Sequence, residues 1–374
     1  MAGIYFHIPF CRKACHYCDF HFSTNLTGRT QMLAAMKTDL CLQHDFLGGE
    51  EIKTIYFGGG TPSLLTRGEL ASLLNEVHIL FQVSAKAEVT LEANPDDVTF
   101  EKVIEWVKLG INRVSLGVQS FFDEDLVWMN RSHSAGQALS AISTLQQGGL
   151  WNLSVDLIYG FPLLSDKKLT SNVEKVLGFG IPHLSCYSMT VEPRTALAFQ
   201  IGQGRSPAMD EDQAANQLLF LIDSLTSSGY DHYEISNFSL PGQHSIHNTN
   251  YWRGEKYLGV GPSAHSYDCE VRRNNIANNH QYVKLINEGL TYFDREFLTE
   301  KDKFNEYIML NLRTMWGLDL LYIHSVFGDD TLRKLLAKAS PLLKLKHLYS
   351  TNHNLRISTK GKLKTDYIVV SLFN

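Results

Sequence analysis

Three cysteines lie within eight residues near the start of the sequence, and their spacing constrains the chain more than any other feature. Cys11, Cys15 and Cys18 form the pattern C-x3-C-x2-C. Thiolates are the usual ligands of iron–sulfur clusters, and the cysteines that bind a cluster often follow one another at short, regular spacing. Three thiolates on one short loop can hold three irons of a [4Fe–4S] cluster and leave the fourth iron open to another ligand. The loop therefore predicts a reaction centre rather than a simple electron carrier.

Two other interpretations of this loop stay open on the residues alone. A zinc ion would usually need four protein ligands, and His7, His16 or His21 is available as the fourth. Alternatively, the three cysteines are unrelated free thiols. The spacing favours the cluster over zinc.

Composition limits the class of protein. With 374 residues, 44% of them hydrophobic, the chain is long enough for one large domain and a smaller one. A formal net charge of −5 argues against a broad basic surface, and therefore against nucleic acid as a partner. We find no apolar run near the ~20 residues of a transmembrane helix, and no signal-peptide pattern at the start. We expect a cytoplasmic protein, reaching a membrane only peripherally, through a partner.

Short apolar runs alternate with helical patterns through about residue 240. The predicted strands are 3–8, 54–57, 88–93, 113–119, 153–159, 183–190 and 233–236. Such alternation is typical of βα units around a parallel sheet. Six or seven units favour a full or partial TIM-type (β/α) barrel over a small open sheet. We therefore predict an α/β fold.

Beyond residue 240 the pattern changes. We predict a barrel over 1–240, a connecting segment over 241–295, and a mainly helical domain over 296–374. The connecting segment is rich in Asn, His, Gly and Tyr. The last domain has helical patterns and a brief strand, and it resembles a winged helix, although the acidic balance argues against DNA binding.

Polar and glycine residues cluster at the predicted strand ends. The glycine turn, residues 58–60, follows a strand, and consecutive glycines let the backbone approach a ligand closely, although a tight turn alone would explain them. Glu92, Gln119 and Asp156 stand at the ends of other predicted strands. Because barrel chemistry gathers at the carboxyl ends of strands, we expect these residues and the cysteine loop to line one site.

The cysteine loop and the glycine turn together resemble the radical S-adenosylmethionine (SAM) superfamily. The resemblance implies that the open iron of the cluster binds the amino and carboxylate groups of SAM, which is then cleaved to a 5′-deoxyadenosyl radical. By the same resemblance the cluster ligands are Cys11, Cys15 and Cys18. The residues against the methionine end of SAM are Gly59, Gly60 and Thr61.

Five motifs in order extend the resemblance to the oxygen-independent coproporphyrinogen III oxidase family and its relatives. They are YFHIPFC (5–11), GGGTPS (58–63), LEANP (91–95), GVQSF (117–121) and DLIYGFP (156–162). Carried over by position, the further SAM contacts are Tyr5, Glu92, Gln119, Arg131 and Asp156. Without the resemblance, a solvated charge at a helix end would explain Arg131, and a structural ion pair would explain Asp156.

Three features separate this sequence from the oxidases. They have another cysteine where this chain has Phe20, and they extend further ahead of the first strand. The run H-N-x-x-Y-W over residues 247–252 is similar to the signature of HemW-type haem chaperones. That resemblance implies a protein that binds haem and delivers it to acceptor haemoproteins, often in respiratory membranes.

His247 is the predicted haem ligand, since imidazole is a common axial ligand of haem iron. Tyr251 and Trp252 would offer aromatic surface, and His244 and His265 are secondary candidates. A structural histidine held by hydrogen bonds is the plainer alternative.

Whether the protein is an enzyme stays open, and the alternative function is decarboxylation of coproporphyrinogen III to protoporphyrinogen IX. A third class is a zinc-stabilised binding protein.

Overall fold

In the computed structural model, which describes residues 2–374, strands and helices alternate through the first half of the chain. The strands are β1 (Ala2–Ile8), β2 (Ile52–Gly59), β3 (Val83–Ala93), β4 (Arg113–Gln119), β5 (Leu153–Tyr159), β6 (His183–Ser188), β7 (Asp231–His232), β8 (Asn237–Ser239), β9 (Lys256–Val260), β10 (His265–Tyr267), β11 (Val271–Asn275), β12 (Phe293–Phe297), β13 (Leu318–Asp319), β14 (Leu348–Thr351) and β15 (Asn354–Ile357). The helices are α1 (Arg29–Leu42), α2 (Arg67–Leu80), α3 (Phe100–Lys108), α4 (Asp123–Trp128), α5 (Ala135–Gln147), α6 (Asp166–Gly178), α7 (Ala196–Gly202), α8 (Glu211–Ser227), α9 (Ile246–Trp252), α10 (Asn279–Asn287), α11 (Glu300–Leu312), α12 (Leu320–Lys344), α13 (Thr359–Lys362) and α14 (Thr365–Leu372).

One twelve-stranded mixed sheet forms the centre of the molecule, in the order β12-β11-β10-β9-β1-β2-β3-β4-β5-β6-β8-β7. The seven strands from β9 to β6 in this order are parallel, and the outer strands pair antiparallel. Within residues 2–374 the edge strands β12 and β7 do not pair, so the sheet curves without closing. The predicted partial (β/α) barrel is confirmed.

Side chains along β1 alternate between the hydrophobic core and a cavity. Ile4, Phe6 and Ile8 are fully buried in the hydrophobic core. Tyr5 and His7, which alternate with them, line a cavity instead. Because successive side chains of a strand point to opposite faces, the same strand builds both the core and the site.

The predicted strand over 233–236 is wrong. These residues form the turn between β7 and β8, where Glu234 makes an isolated bridge to Thr314. Tyr233 is fully buried, and its hydroxyl is satisfied by a hydrogen bond with the His183 ring (2.8 Å). A short apolar run can thus be buried in a turn, and periodicity alone does not separate this case from a strand.

The segment 241–295, predicted as a connection, contributes to the large sheet. It supplies α9, α10 and β9 to β11, and β9 extends the parallel array by pairing with β1. One cluster of buried side chains runs from Ala2 to Tyr292, and a second runs from Phe304 to Leu372. These two cores favour a domain boundary after β12.

The C-terminal part has the order α11, β13, α12, β14, β15, with α13 and α14 after it. Gly328, with φ of 84°, breaks α12 into two helices. Helix, strand, two helices and two strands is the order of a winged helix. This agrees with the predicted small helical domain with a minor sheet.

Candidate functional site

The loop after β1 carries the three cysteines and is held by backbone hydrogen bonds. The Cys11 N–H donates to the carbonyl of Ser23 (3.0 Å), and the Ser23 N–H donates to that of Pro9 (2.9 Å). The Cys18 N–H donates to the carbonyl of Cys15 (3.3 Å), which closes a tight turn. All three cysteines line one cavity of about 470 Å³, named here the cysteine cavity. Its walls also include Gly59, Gly60, Thr61, Glu92, Gln119, Arg131 and Asp156.

Polar donors stand beside two of the sulfurs. Thr61 Oγ1 donates to Cys11 Sγ (3.4 Å), and Arg131 Nη1 donates to Cys15 Sγ (3.4 Å). Burial raises the pKa of the Cys11 thiol, and it raises the pKa of Cys18 to about 12. The thiolate is the form that binds metal, so these sulfurs ionise readily only beside a positive partner. Donors aimed at the sulfurs fit thiolates bound to iron.

A single-metal site does not fit this arrangement. Across the described residues 2–374, no three His, Cys, Asp or Glu side chains converge closely enough to hold one metal ion. Structural zinc needs four ligands at about 2.0–2.3 Å from one point. A [4Fe–4S] cluster places each cysteine on a different iron, so its ligands surround a cavity rather than meet. The geometry therefore favours the cluster over zinc.

The glycine turn lets the end of β2 pass close to the cysteine loop. A Cβ atom on Gly60 would lie 2.6 Å from the carbonyl oxygen of Phe10, and one on Gly59, where φ is 102°, would lie 2.8 Å from the His7 ring. The Gly60 N–H donates to the carbonyl of Ile8 (2.8 Å). Only glycine fits at both positions. The turn is thus a close-packed joint that also lines the cavity.

Two carboxylates face the cavity from neighbouring parts of the sheet. Glu92, on β3, accepts from the Tyr56 hydroxyl (2.8 Å), and Asp156, on β5, accepts from Ser115 Oγ (3.1 Å). Burial raises the pKa of Glu92 to about 8, and the negative charge of Asp156 acts in the same direction. Burial also raises the pKa of Asp156, to about 6, against hydrogen bonds from Ser185 and Ser115. Burial therefore favours the protonated form of both carboxyl groups, and it favours that form more strongly at Glu92 than at Asp156.

Gln119 ends β4 in a strained backbone conformation. Its φ is 66°, in the left-handed region, and the residue is buried against the cysteine cavity. Such a conformation in a non-glycine residue costs of order 1–3 kcal/mol and clusters at ligand-binding sites.

Arg131 joins the ends of three structural elements. Its Nη2 donates to Asn94 Oδ1 (2.8 Å) and to the carbonyl of Gly117 (2.9 Å), while Nη1 faces Cys15. Its Nε is buried and has no hydrogen-bond partner among the described residues. A donor left free at a cavity wall is consistent with a bound ligand that accepts from it.

Sequence reasoning missed several residues of this cavity. Asn94 and Tyr17 line its walls beside Arg131 and the cysteines, and the end of β6 supplies another wall. That wall consists of Tyr187, Ser188, Met189, Thr190 and Glu192. These residues could have been predicted from the sequence, because they follow the carboxyl end of β6 and the other site residues were predicted from their positions at strand ends.

A second cavity, of about 570 Å³, adjoins the first and is named the tyrosine cavity after Tyr5, Tyr251, Tyr257 and Tyr267. The walls common to both cavities are Asp19, Phe20, Gly59 and Glu92. Tyr5, a predicted SAM contact, lies in the tyrosine cavity rather than among the cysteines. The predicted site residues therefore divide between two connected spaces.

His247 lies below the tyrosine cavity, inside the fold. Its Nδ1 bonds with Thr54 Oγ1 (2.7 Å), its Nε2 bonds with the Tyr251 hydroxyl (2.8 Å), and its ring stacks on Tyr56 (4.9 Å). The residue is 2% exposed, and burial lowers its pKa to about 3. Glu88 accepts from the His247 N–H (2.9 Å) and fixes the start of α9. The predicted haem ligand is a neutral imidazole with both nitrogens occupied.

Comparison with known proteins places this geometry in a family. Residues 5–176 match the family described as the radical SAM superfamily. The structure of coproporphyrinogen III oxidase (HemN) from Escherichia coli, a radical SAM enzyme, superposes with a TM-score of 0.86 at 23% identity. The superposition covers 100% of this chain and 90% of that chain. At this identity the likeness establishes a shared fold.

Two relatives by sequence share a name. Heme chaperone HemW of Lactococcus lactis is 33% identical over 357 residues, which are 96% of this chain and 93% of the relative. Heme chaperone HemW of Mycobacterium tuberculosis is 36% identical over 323 residues, which are 85% of this chain and 83% of the relative. With its radical SAM match and these relatives along nearly its whole length, the chain belongs to the HemW haem chaperone family of the radical SAM superfamily.

Proposed function

We propose that this protein is a haem chaperone that binds haem and transfers it to acceptor haemoproteins. The observation that carries the proposal is the pair of connected cavities, one lined by cysteines and carboxylates and the other by aromatic rings and histidines. The family names of its relatives support haem as the cargo.

We propose the cysteine cavity as the site of two cofactors, a [4Fe–4S] cluster and SAM. The cluster ligands would be Cys11, Cys15 and Cys18. The SAM contacts within this cavity would be Gly59, Gly60, Thr61, Glu92, Gln119, Arg131 and Asp156, and Tyr5 would approach SAM from the adjoining tyrosine cavity. A bound cluster supplies one-electron redox chemistry, and the protein orients what binds beside it.

The side chains of this cavity suit a ligand with both charged and hydroxyl groups. Asp156 accepts hydrogen bonds when it is ionised, whereas Glu92, when it is protonated, both donates and accepts. Arg131, with its free Nε, pairs with a carboxylate. Gly59 and Gly60 leave backbone exposed at close range. These four features fit an amino acid joined to a ribose.

Ligation of the haem iron by His247, predicted from the H-N-x-x-Y-W motif, would require its ring to give up the bond to Tyr251. Two variants test this. His247→Ala should weaken the Soret band in a haem titration if the imidazole is the ligand. Tyr251→Phe frees Nε2 and should then retain or strengthen that band. An unchanged band in His247→Ala would refute the ligand assignment.

Acceptor haemoproteins, including membrane-bound respiratory proteins, are the proposed partners. Within residues 2–374, none of the helices is long and apolar enough to cross a membrane. A cytoplasmic location with peripheral access to membranes stays a prediction from the sequence.

The decisive experiment is anaerobic reconstitution of the full chain with iron, sulfide, SAM and haem, followed by spectra and product analysis. A haem chaperone should retain about four irons per chain, bind haem, and pass it to an apo-haemoprotein. Cys15→Ala should lose iron while the fold persists. The alternative function is tested by adding coproporphyrinogen III and a reductant. Protoporphyrinogen IX formation that Cys15→Ala abolishes would overturn the chaperone proposal.

A further inference from the structure

We infer that the tyrosine cavity is the haem-docking site, with Phe20 stacking on the macrocycle and His265 presenting its imidazole to the iron. The inference rests on the proposed haem-chaperone function and assigns that function a place. Neither residue belongs to the H-N-x-x-Y-W motif.

The size and surface of the tyrosine cavity suit a flat apolar ligand. Its volume of about 570 Å³ lies in the usual range of ligand cavities, about 300–1,000 Å³. Tyr251 and Tyr257 meet edge to face at 4.5 Å, and Tyr257 and Tyr267 lie 6.1 Å apart. Aromatic walls bury a large planar ring at low entropic cost, because each has few rotatable bonds.

Phe20 is the exposed ring at the boundary of the two cavities. It is 68% exposed and lines both of them. Contact with an apolar surface would remove the exposed phenyl ring of Phe20, two residues after Cys18, from water and would lower the free energy. The face of a porphyrin offers such a surface. Phe20 thus puts an aromatic surface beside the cysteine cavity.

His265 is the most exposed of the three histidines that line this cavity. The His7 ring bonds to the carbonyl of His21 (2.7 Å) and to the Tyr5 hydroxyl (3.3 Å), and the His21 ring bonds to Asn279 (2.7 Å). His265 is exposed on β10.

The surroundings of His265 favour iron binding and reversible release. Its ring forms a hydrogen bond with the side chain of Asn274, which is exposed on the neighbouring strand β11. Partial burial and the charge of Arg272 lower the pKa of His265, which favours the neutral imidazole. Neutral imidazole is the form that binds iron. Because the His265 side chain is exposed and is not packed into the core, it can also release the haem iron.

A haem propionate would pair with Arg272, the one Lys or Arg among the described residues that line the tyrosine cavity, which Asp19, Glu92 and Glu306 also line. Arg272 lines the tyrosine cavity and pairs with Glu296 (3.2 Å) and Glu306 (2.5 Å). A propionate is another carboxylate, so it can replace either glutamate on the guanidinium. The docked molecule would then have its apolar face on the tyrosines and its acid groups toward the rim.

Haem titration of the full chain, with absorption spectra of the oxidised and reduced complexes, tests the inference. His265→Ala should weaken affinity roughly tenfold or more and shift the Soret maximum, because one iron ligand is lost. Phe20→Leu should weaken affinity several-fold without shifting the band. The matched control is His324→Ala, an exposed histidine on α12, which should bind haem like the unchanged protein.

The outcomes separate the inference from the proposed function. If the unchanged protein binds no haem, both fail. If it binds haem and both His265→Ala and Phe20→Leu bind with unchanged affinity and spectrum, the haem lies elsewhere and the inference alone fails. Circular dichroism of each variant confirms folding, and because both side chains are exposed their replacement should not unfold the chain.

Discussion

Replacing Gly60 with alanine tests how β2 is joined to the cysteine loop. The added Cβ would lie 2.6 Å from the carbonyl oxygen of Phe10 and 2.8 Å from that of Ile8, closer than real Cβ contacts. Both neighbours are backbone atoms, so no side-chain rotation relieves the clash. The same two carbonyls accept from the N–H groups of Gly60 (2.8 Å) and Thr61 (2.7 Å). The backbone must shift, and these hydrogen bonds weaken with it.

The magnitude follows from these contacts. Overpacking costs about 1–3 kcal/mol, and each weakened backbone hydrogen bond adds roughly 0.5–1.5 kcal/mol. We expect Gly60→Ala to lower the free energy of unfolding by about 3 kcal/mol. Because the clash displaces the residue before Cys11, iron retained after anaerobic reconstitution should fall as well.

Gly68→Ala is the matched control for Gly60→Ala. Gly68 lies on α2, where a Cβ would meet nothing within 4 Å. Alanine there should leave stability unchanged or raise it by up to about 1 kcal/mol. Urea denaturation followed by tryptophan fluorescence measures both variants. If Gly60→Ala unfolded at the same urea concentration as the unchanged protein and kept its iron, the close-packing argument would be refuted.

Three further predictions concern buried polar groups. Glu92 has a pKa of about 8 in the folded state against an ordinary 4.5, so the folded protein holds a proton that the unfolded chain releases within this window. The free energy of unfolding should therefore fall as pH rises from 4.5 to about 8, and Glu92→Gln should flatten that fall in denaturation curves. Asp39 accepts from two buried tyrosine hydroxyls, and Asp39→Asn, with one acceptor oxygen, should lose about 1–3 kcal/mol in the same assay. Arg131→Lys should lower the free energy of unfolding by about 1–3 kcal/mol and retain less iron after gel filtration, because an ammonium cannot replace the three-way contact of the guanidinium; full retention of iron would show that those contacts are dispensable for the cluster.

Local patterns made much of the fold predictable. β4 and β5 have the predicted bounds, 113–119 and 153–159, since apolar residues recur at every second position, as is typical of strands. The predicted strand over 233–236 was wrong because Tyr233 is buried in a turn, where its hydroxyl bonds with His183, fifty residues away. The pairing of β9 with β1 could not be predicted either, because no local pattern indicates which distant segments of the chain pair.

Some predicted site residues line the cavities and others do not, depending on where the fold places them. Residues at strand ends gathered around the cysteine cavity because parallel strands end at one edge of the sheet. His247 was predicted to bind haem iron, with a hydrogen-bonded structural histidine as the alternative, and α9 packs it against Thr54 and Tyr56 inside the barrel. Its role as a haem ligand stays a prediction, and the exposed His265 was only a secondary candidate.

The sequence by itself determined the spacing of Cys11, Cys15 and Cys18, because one short segment carries all three. It also determined the βα alternation, because periodicity is a local property of strands and helices. Only the tertiary structure decided which side chains face a ligand. Arg131 reaches Cys15 across 116 residues, and His247 is hidden while Phe20 and His265 are exposed. The physical reason is that burial and free hydrogen-bonding capacity depend on contacts between distant segments, which no local pattern specifies.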